Sequence, residues 1–172
     1  MEFESPADAW YVWFGVAVVS LGVVGVVVAF PTGPPPDAAA TANAIDRVAA
    51  SEYGASGTHR HDGDELRIGT KQIWLRNDAG TSHATVSVGT LTPVFAADGD
   101  LNRIGQQLVD GKPPKQLVAE SIRFDDEAEL QAAFESLRAA LDRDGPSWRR
   151  AIGELRVRRV TLDGESIVLI DG

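Results

Sequence analysis

The sequence contains no cysteine. That excludes structural disulfides, thiolate metal sites, a cysteine nucleophile and a lipid-modified cysteine anchor. Lysine is almost missing: Lys71, Lys112 and Lys115 stand against 13 arginines. Histidine occurs three times, at His59, His61 and His83. There is no Gly-x-Ser-x-Gly elbow, no phosphate loop and no dinucleotide fingerprint. His83 falls in a strand pattern with no evident nucleophile beside it. The expectation is therefore a protein that is not an enzyme, with no cofactor and no identifiable small-molecule substrate. No internal repeat and no long low-complexity tail interrupt the 172 residues.

Carboxylates dominate what is there. Asp and Glu total 25 against 16 Lys and Arg, a net charge of −9. Guanidinium is more weakly hydrated than ammonium and holds planar ion pairs better. An acidic chain that prefers Arg to Lys suits strong brine, where salt screens its self-repulsion. A GC-rich genome would favour the same Ala, Gly, Arg and Asp.

The longest apolar run is residues 10–30, WYVWFGVAVVSLGVVGVVVAF, with no charged side chain. As a helix it would be about 31 Å long, matching a hydrocarbon core of about 30 Å. In lipid the backbone must bond to itself, so helix overrides the modest propensity of valine. Trp10, Tyr11, Trp13 and Phe14 suit an interfacial belt at one end. Phe30 marks the other end, and Pro31, Pro34, Pro35 and Pro36 stop the helix. A cleaved signal would need a basic leader and a shorter core; this leader carries Glu2, Glu4 and Asp8. Gly15, Gly22, Gly25 and Ala29 share one side, a small-residue face that permits close helix–helix packing in a membrane. Partners expected on this basis are the bilayer and other membrane proteins. Neither flank has a Lys/Arg excess, and the first basic residue is Arg47. The soluble part is assigned to the outside of the cell membrane.

The organisation that follows is an acidic leader (1–9), a transmembrane helix (10–30), a proline-rich linker (31–36) and a membrane-proximal domain (37–172). The domain is expected to be α+β, a mostly antiparallel sheet packed by two to four helices. Residues 37–52 read as a helix capped by Asp37, with an apolar stripe of Ala38, Ala42, Ile45, Val48 and Ala49, ended by Tyr53-Gly54. Strands are expected at 65–69, 71–77 and 82–88, with a turn at Asn77–Gly80. Asp100 would cap a helix over 101–110. Residues 121–124 suggest a strand. Leu130, Phe134, Leu137 and Leu141 mark a helix over 126–143, with Asp126 and Glu129 at capping-box spacing. Asp163-Gly164 predicts a type I′ hairpin turn. Its first strand changes phase between Leu155/Val157 and Val160/Leu162, which a bulge at Arg158-Arg159 would repair. The apolar run 167–170 predicts a strand inside the sheet.

Three places merit chemical attention. His59, His61, Asp62 and Asp64 could in principle ligate a divalent metal, but polar loops before strands are common and no metal site is assigned. Asp98, Asp100 and Asn102 start a calcium-loop pattern that fails at Arg103 and Val109. Arg149, Arg150, Arg156, Arg158 and Arg159 are the one basic concentration. They are either a contact for an anionic partner or a face paired with carboxylates such as Glu135 and Asp142. Without stacking aromatics beyond Trp148 they do not suggest nucleic acid.

The leader ESPADAWYVWFGVAVVS, the PPPDAA exit, the LRNDAGTSHATVSVG strand pair and the helix at 126–143 resemble an uncharacterised family of single-span membrane proteins from haloarchaea. The resemblance runs over nearly the whole chain and carries no catalytic residues. It implies association with type IV pilus-like machinery, as a structural or accessory subunit. The leader lacks the basic residue and glycine that pilin processing uses, so an uncleaved protein is expected. A tethered module that binds a ligand or regulates a partner is the alternative.

Overall fold

A computed structural model describes residues 7–29, 33–51, 54–151 and 153–172, with side chains of the first helix described over residues 10–21. The leader carboxylates Glu2, Glu4 and Asp8, the side-chain positions of Gly22, Gly25 and Ala29, and Phe30, Pro31 and Tyr53 lie outside the described residues. The chain divides into two compact units, residues 1–34 and 35–172.

The first unit is one helix, α1 (Ala7–Ala29). Its aromatic end is internally stacked: the Trp10 and Tyr11 rings lie 4.2 Å apart, and Phe14 meets Trp10 edge-on at 6.2 Å. Among the described residues no helix is long and apolar enough to cross a membrane.

The second unit is α+β. In chain order it runs α2 (Ala38–Ala49), β1 (Ser56–Arg60), β2 (Glu65–Ile68), β3 (Gln72–Asn77), β4 (Gly80–Thr85), β5 (Leu91–Pro93), a 3-10 turn (Val94–Ala96), α3 (Gly99–Val109), α4 (Pro114–Ala119), α5 (Glu127–Asp144), β6 (Arg149–Arg150), β7 (Glu154–Leu162) and β8 (Glu165–Asp171). These strands make two four-stranded sheets, ordered β1-β7-β8-β5 and β4-β3-β2-β6. Among the described strands only the β5–β8 pair is parallel.

The first sheet is buried on both faces. Ile167 and Leu169 of β8, with Val160 and Leu162 of β7, enter a core with α3, α4 and α5 around Ile104, Leu108, Leu130 and Phe134. Val168 and Ile170, with Leu155 and Val157, enter a second core with α2 and the other sheet around Ile45, Leu66, Ile73 and Leu75. The apolar run 167–170 is thus an interior strand, as its lack of alternation predicts. The phase change in β7 has the same cause. Its pairing with β8 runs in unbroken register from Arg156↔Asp171 to Leu162↔Glu165. No bulge is needed, because the first half of β7 is buried on one face and the second half on the other.

Helix caps behave as local chemistry dictates. Asp37 accepts from the Ala40 amide at 2.8 Å and starts α2. Asp126 accepts from Glu129 N–H at 2.8 Å, while Glu129 accepts from Asp125 N–H at 2.9 Å. The reciprocal bond therefore reaches one residue further back than an ordinary capping box. α3 begins at Gly99, earlier than the Asp100 cap implies, and Asp100 instead pairs with Arg103 in its first turn. The strand expected at 121–124 is absent: Pro113 and Pro114 open α4, and the Ser121 hydroxyl accepts from the Arg123 and Phe124 amides to form a turn. Phe124 is buried by that turn, which explains its strand-like apolar signal. The hairpin turn is left-handed at both central residues, Asp163 at φ 45° and Gly164 at φ 84°, as type I′ requires.

Candidate functional site

The five arginines do not gather on one face. Arg149 and Arg150 form β6 and pair with Leu66 and Glu65 of the second sheet. The Arg149 guanidinium lies 4.1 Å over the Phe95 ring. Arg156 donates to Asp110 and to Asp171. Chiefly through the Asp171 hydrogen bond, its pKa rises above the ordinary value, so it is held charged. Arg159 donates to the Ala49 and Ser51 carbonyls at the end of α2 and to the Ser166 hydroxyl. It is a C-terminal helix cap. The carboxylates expected to face these arginines are engaged elsewhere: Glu135 with Gln131 and Arg138, Asp142 with the Thr70 hydroxyl.

Arg158 is different. Among the described residues its side chain makes no hydrogen bond or ion pair. It lines a cleft of about 230 Å³ with Gly54, Gly111, Lys112, Pro113, Pro114 and the β7 residues 159–161. Among the described residues, Lys112 likewise has no acidic partner and no carboxylate lines the cleft. Two features build it. The turn after α3 is closed by Gly111 N–H to Leu108 O and Lys112 N–H to Gln107 O, at 3.1 and 3.0 Å. Gly111 has φ +109°, and a Cβ there would stand 2.8 Å from Arg158 Nη1. The positive φ favours glycine there, and the Arg158 guanidinium lies against it. Lys112 escaped sequence reasoning. Its one signal is rarity, a lysine between Gly111 and Pro113-Pro114 in a chain with three.

The histidine loop is arranged for structure. His59 sits on β1 opposite Leu155. His61 follows the strand, its N–H bonded to Gly153 O at 3.1 Å. Its Nδ1 accepts from Gly63 N–H at 3.3 Å, and its Nε2 is buried without a partner. Burial first, then the neighbouring His59, lowers its pKa below the ordinary value. Glu65 is taken by Arg76, whose guanidinium also lies 4.5 Å from the centre of the Trp148 ring. Among the described residues no three His, Asp or Glu side chains gather to hold a metal ion. In the calcium-like segment, Asn102 Nδ2 donates to Val94 O at 2.9 Å, tying α3 to the 3-10 turn. His83, on β4 opposite Trp74, is exposed. A second groove, of about 310 Å³ between α2 and β1, is lined by Arg47, Val48, Ser51, Gly57 and His59 among others. Arg47 there donates to its own helix at Asn43 O.

Fold and site together define an apolar helix followed by an α+β unit of two sheets, with a basic cleft whose cations have no acidic partner among the described residues. The chain belongs to DUF7283, a family of unknown function, whose model matches residues 4–160. No match was found among the curated proteins or among the solved structures.

Proposed function

We propose that this chain is a membrane-anchored, non-catalytic accessory protein: α1 lies in the bilayer and the α+β head works at its surface. The observation that carries this reading is the bare apolar surface of α1. Trp10, Tyr11, Val12, Trp13, Phe14, Val16, Val18, Val19 and Leu21 are each more than half exposed. Apolar area left in water costs about 25 cal/mol per Å² relative to burial, so a surface of this kind needs a cover. Lipid is the cover that suits it. The backbone of α1 is helical for 23 residues. The uncharged run 10–30 in the sequence supports the same reading, since as a helix it would match a hydrocarbon core of about 30 Å. The head has two cores of its own.

The resemblance to single-span haloarchaeal proteins supports placing the head outside the cell, in a pilus-like or secretion apparatus. The small-residue face of Gly15, Gly22, Gly25 and Ala29 would then pack against another membrane protein. The test is fractionation followed by crosslinking. The full chain should remain in the membrane pellet through alkaline carbonate extraction, whereas residues 35–172 should be soluble. Release of the full chain by carbonate would overturn the anchor. Replacing Gly22 and Gly25 with leucine should abolish crosslinks to membrane partners without releasing the protein; unchanged crosslinks would remove the packing role.

A further inference from the structure

The chain has more acids than bases, 25 to 16, and most of its described cations are engaged. Arg76, Arg103, Arg138, Arg143 and Arg156 meet carboxylates. Arg67, Arg123 and Arg149 lie over aromatic rings. Arg47, Lys71 and Arg159 donate to backbone carbonyls. Against that background, two cations in one cleft with no acidic partner among the described residues are a directed feature rather than a solvated face. The nearest acid along the chain, Asp110, is already bound by Arg156.

We propose that the cleft formed by the Gly111–Pro114 turn and residues 158–161 of β7 binds a phosphate-class oxyanion, held between Arg158 and Lys112. This site does not depend on how α1 is accommodated. The guanidinium offers a planar fork that fits two oxygens, and the ammonium supplies a point charge to a third. Two cations balance a dianion, while a lone carboxylate would leave one uncompensated. Pro113 and Pro114 stiffen the opposite wall, and the hydrogen-bonded turn holds Lys112 in place. Among the described residues no aromatic ring lines the cleft.

The test is calorimetric titration of the full chain in neutral detergent at constant chloride, with inorganic phosphate and separately with dihexanoyl phosphatidic acid below its micelle concentration. One-to-one binding is expected. Lys112→Gln and Arg158→Gln should each weaken it about tenfold, the order of a lost charge-assisted hydrogen bond. Lys115→Gln removes the same charge from the exposed face of α4 and should leave binding unchanged. Comparable affinities for the two probes assign the site to a soluble phosphate group; much tighter binding of the short-chain lipid assigns it to a headgroup. Absence of saturable binding by either probe, or equal weakening in Lys115→Gln, would overturn the proposal.

Discussion

His61 leaves β1 half-buried, with Nδ1 bound to Gly63 N–H and Nε2 enclosed. Protonation would break the Nδ1 bond and place a charge in a desolvated site beside His59. Its lowered pKa means that the folded chain binds fewer protons than the unfolded chain just below pH 6.5. Stability therefore rises with pH through that window. It is lost as pH falls from about 6.5 toward the lowered folded value. Urea midpoints at pH 7.5 and 5.5 should show this drop, and His61→Gln should make it shallower. An identical pH slope in the variant would remove His61 as the cause. The same scale explains the arginines: their roles are set by whichever acceptor lies within reach, so five neighbours in sequence acquire unlike partners.

Among the elements, α5 has the clearest local origin. Its apolar stripe buries Leu130 and Phe134, and its start is fixed by the Asp126 side chain on Glu129 N–H. Asp126→Ala should cost about 1 kcal/mol of unfolding free energy, the usual loss for an N-cap. Chemical denaturation with unchanged slope checks it, and an effect below a few tenths would show that water replaces the cap. α2 is pinned at both ends by side chains, Asp37 at its start and Arg159 from β7 at its close, while Asp46 receives the Ser87 and Val88 amides after β4. A single polar substitution on β7 therefore acts on a helix more than a hundred residues away along the chain.

At the scale of the whole molecule, the chain divides into two compact units, residues 1–34 and 35–172. The head closes through long-range pairings: β1 joins β7 through Ser56↔Arg158, and β5 joins β8 through Leu91↔Val168. None of these involves residues 1–34. Residues 35–172 alone should therefore give the circular dichroism of the head and a thermal midpoint equal to that of the head within the full chain. A large fall in the midpoint would show that the first unit contributes to folding.

Local sequence determined the helices with a stripe and a cap, the Asn77–Gly80 and Asp163-Gly164 turns, and the interior position of the 167–170 strand. Each follows from residues within a few positions of one another. Tertiary structure decided the rest. The polar Ser56–Arg60 segment is a strand because β7 presents its edge to it, and Pro114–Ala119 is a helix packed on the core shared with α5. β7 changes its buried face because different layers cover its two halves. Arg158 remains unpaired, and Lys112 stands beside it, because a turn after α3 meets a strand more than forty residues later. Such encounters depend on how distant segments close together, which no window of the sequence contains.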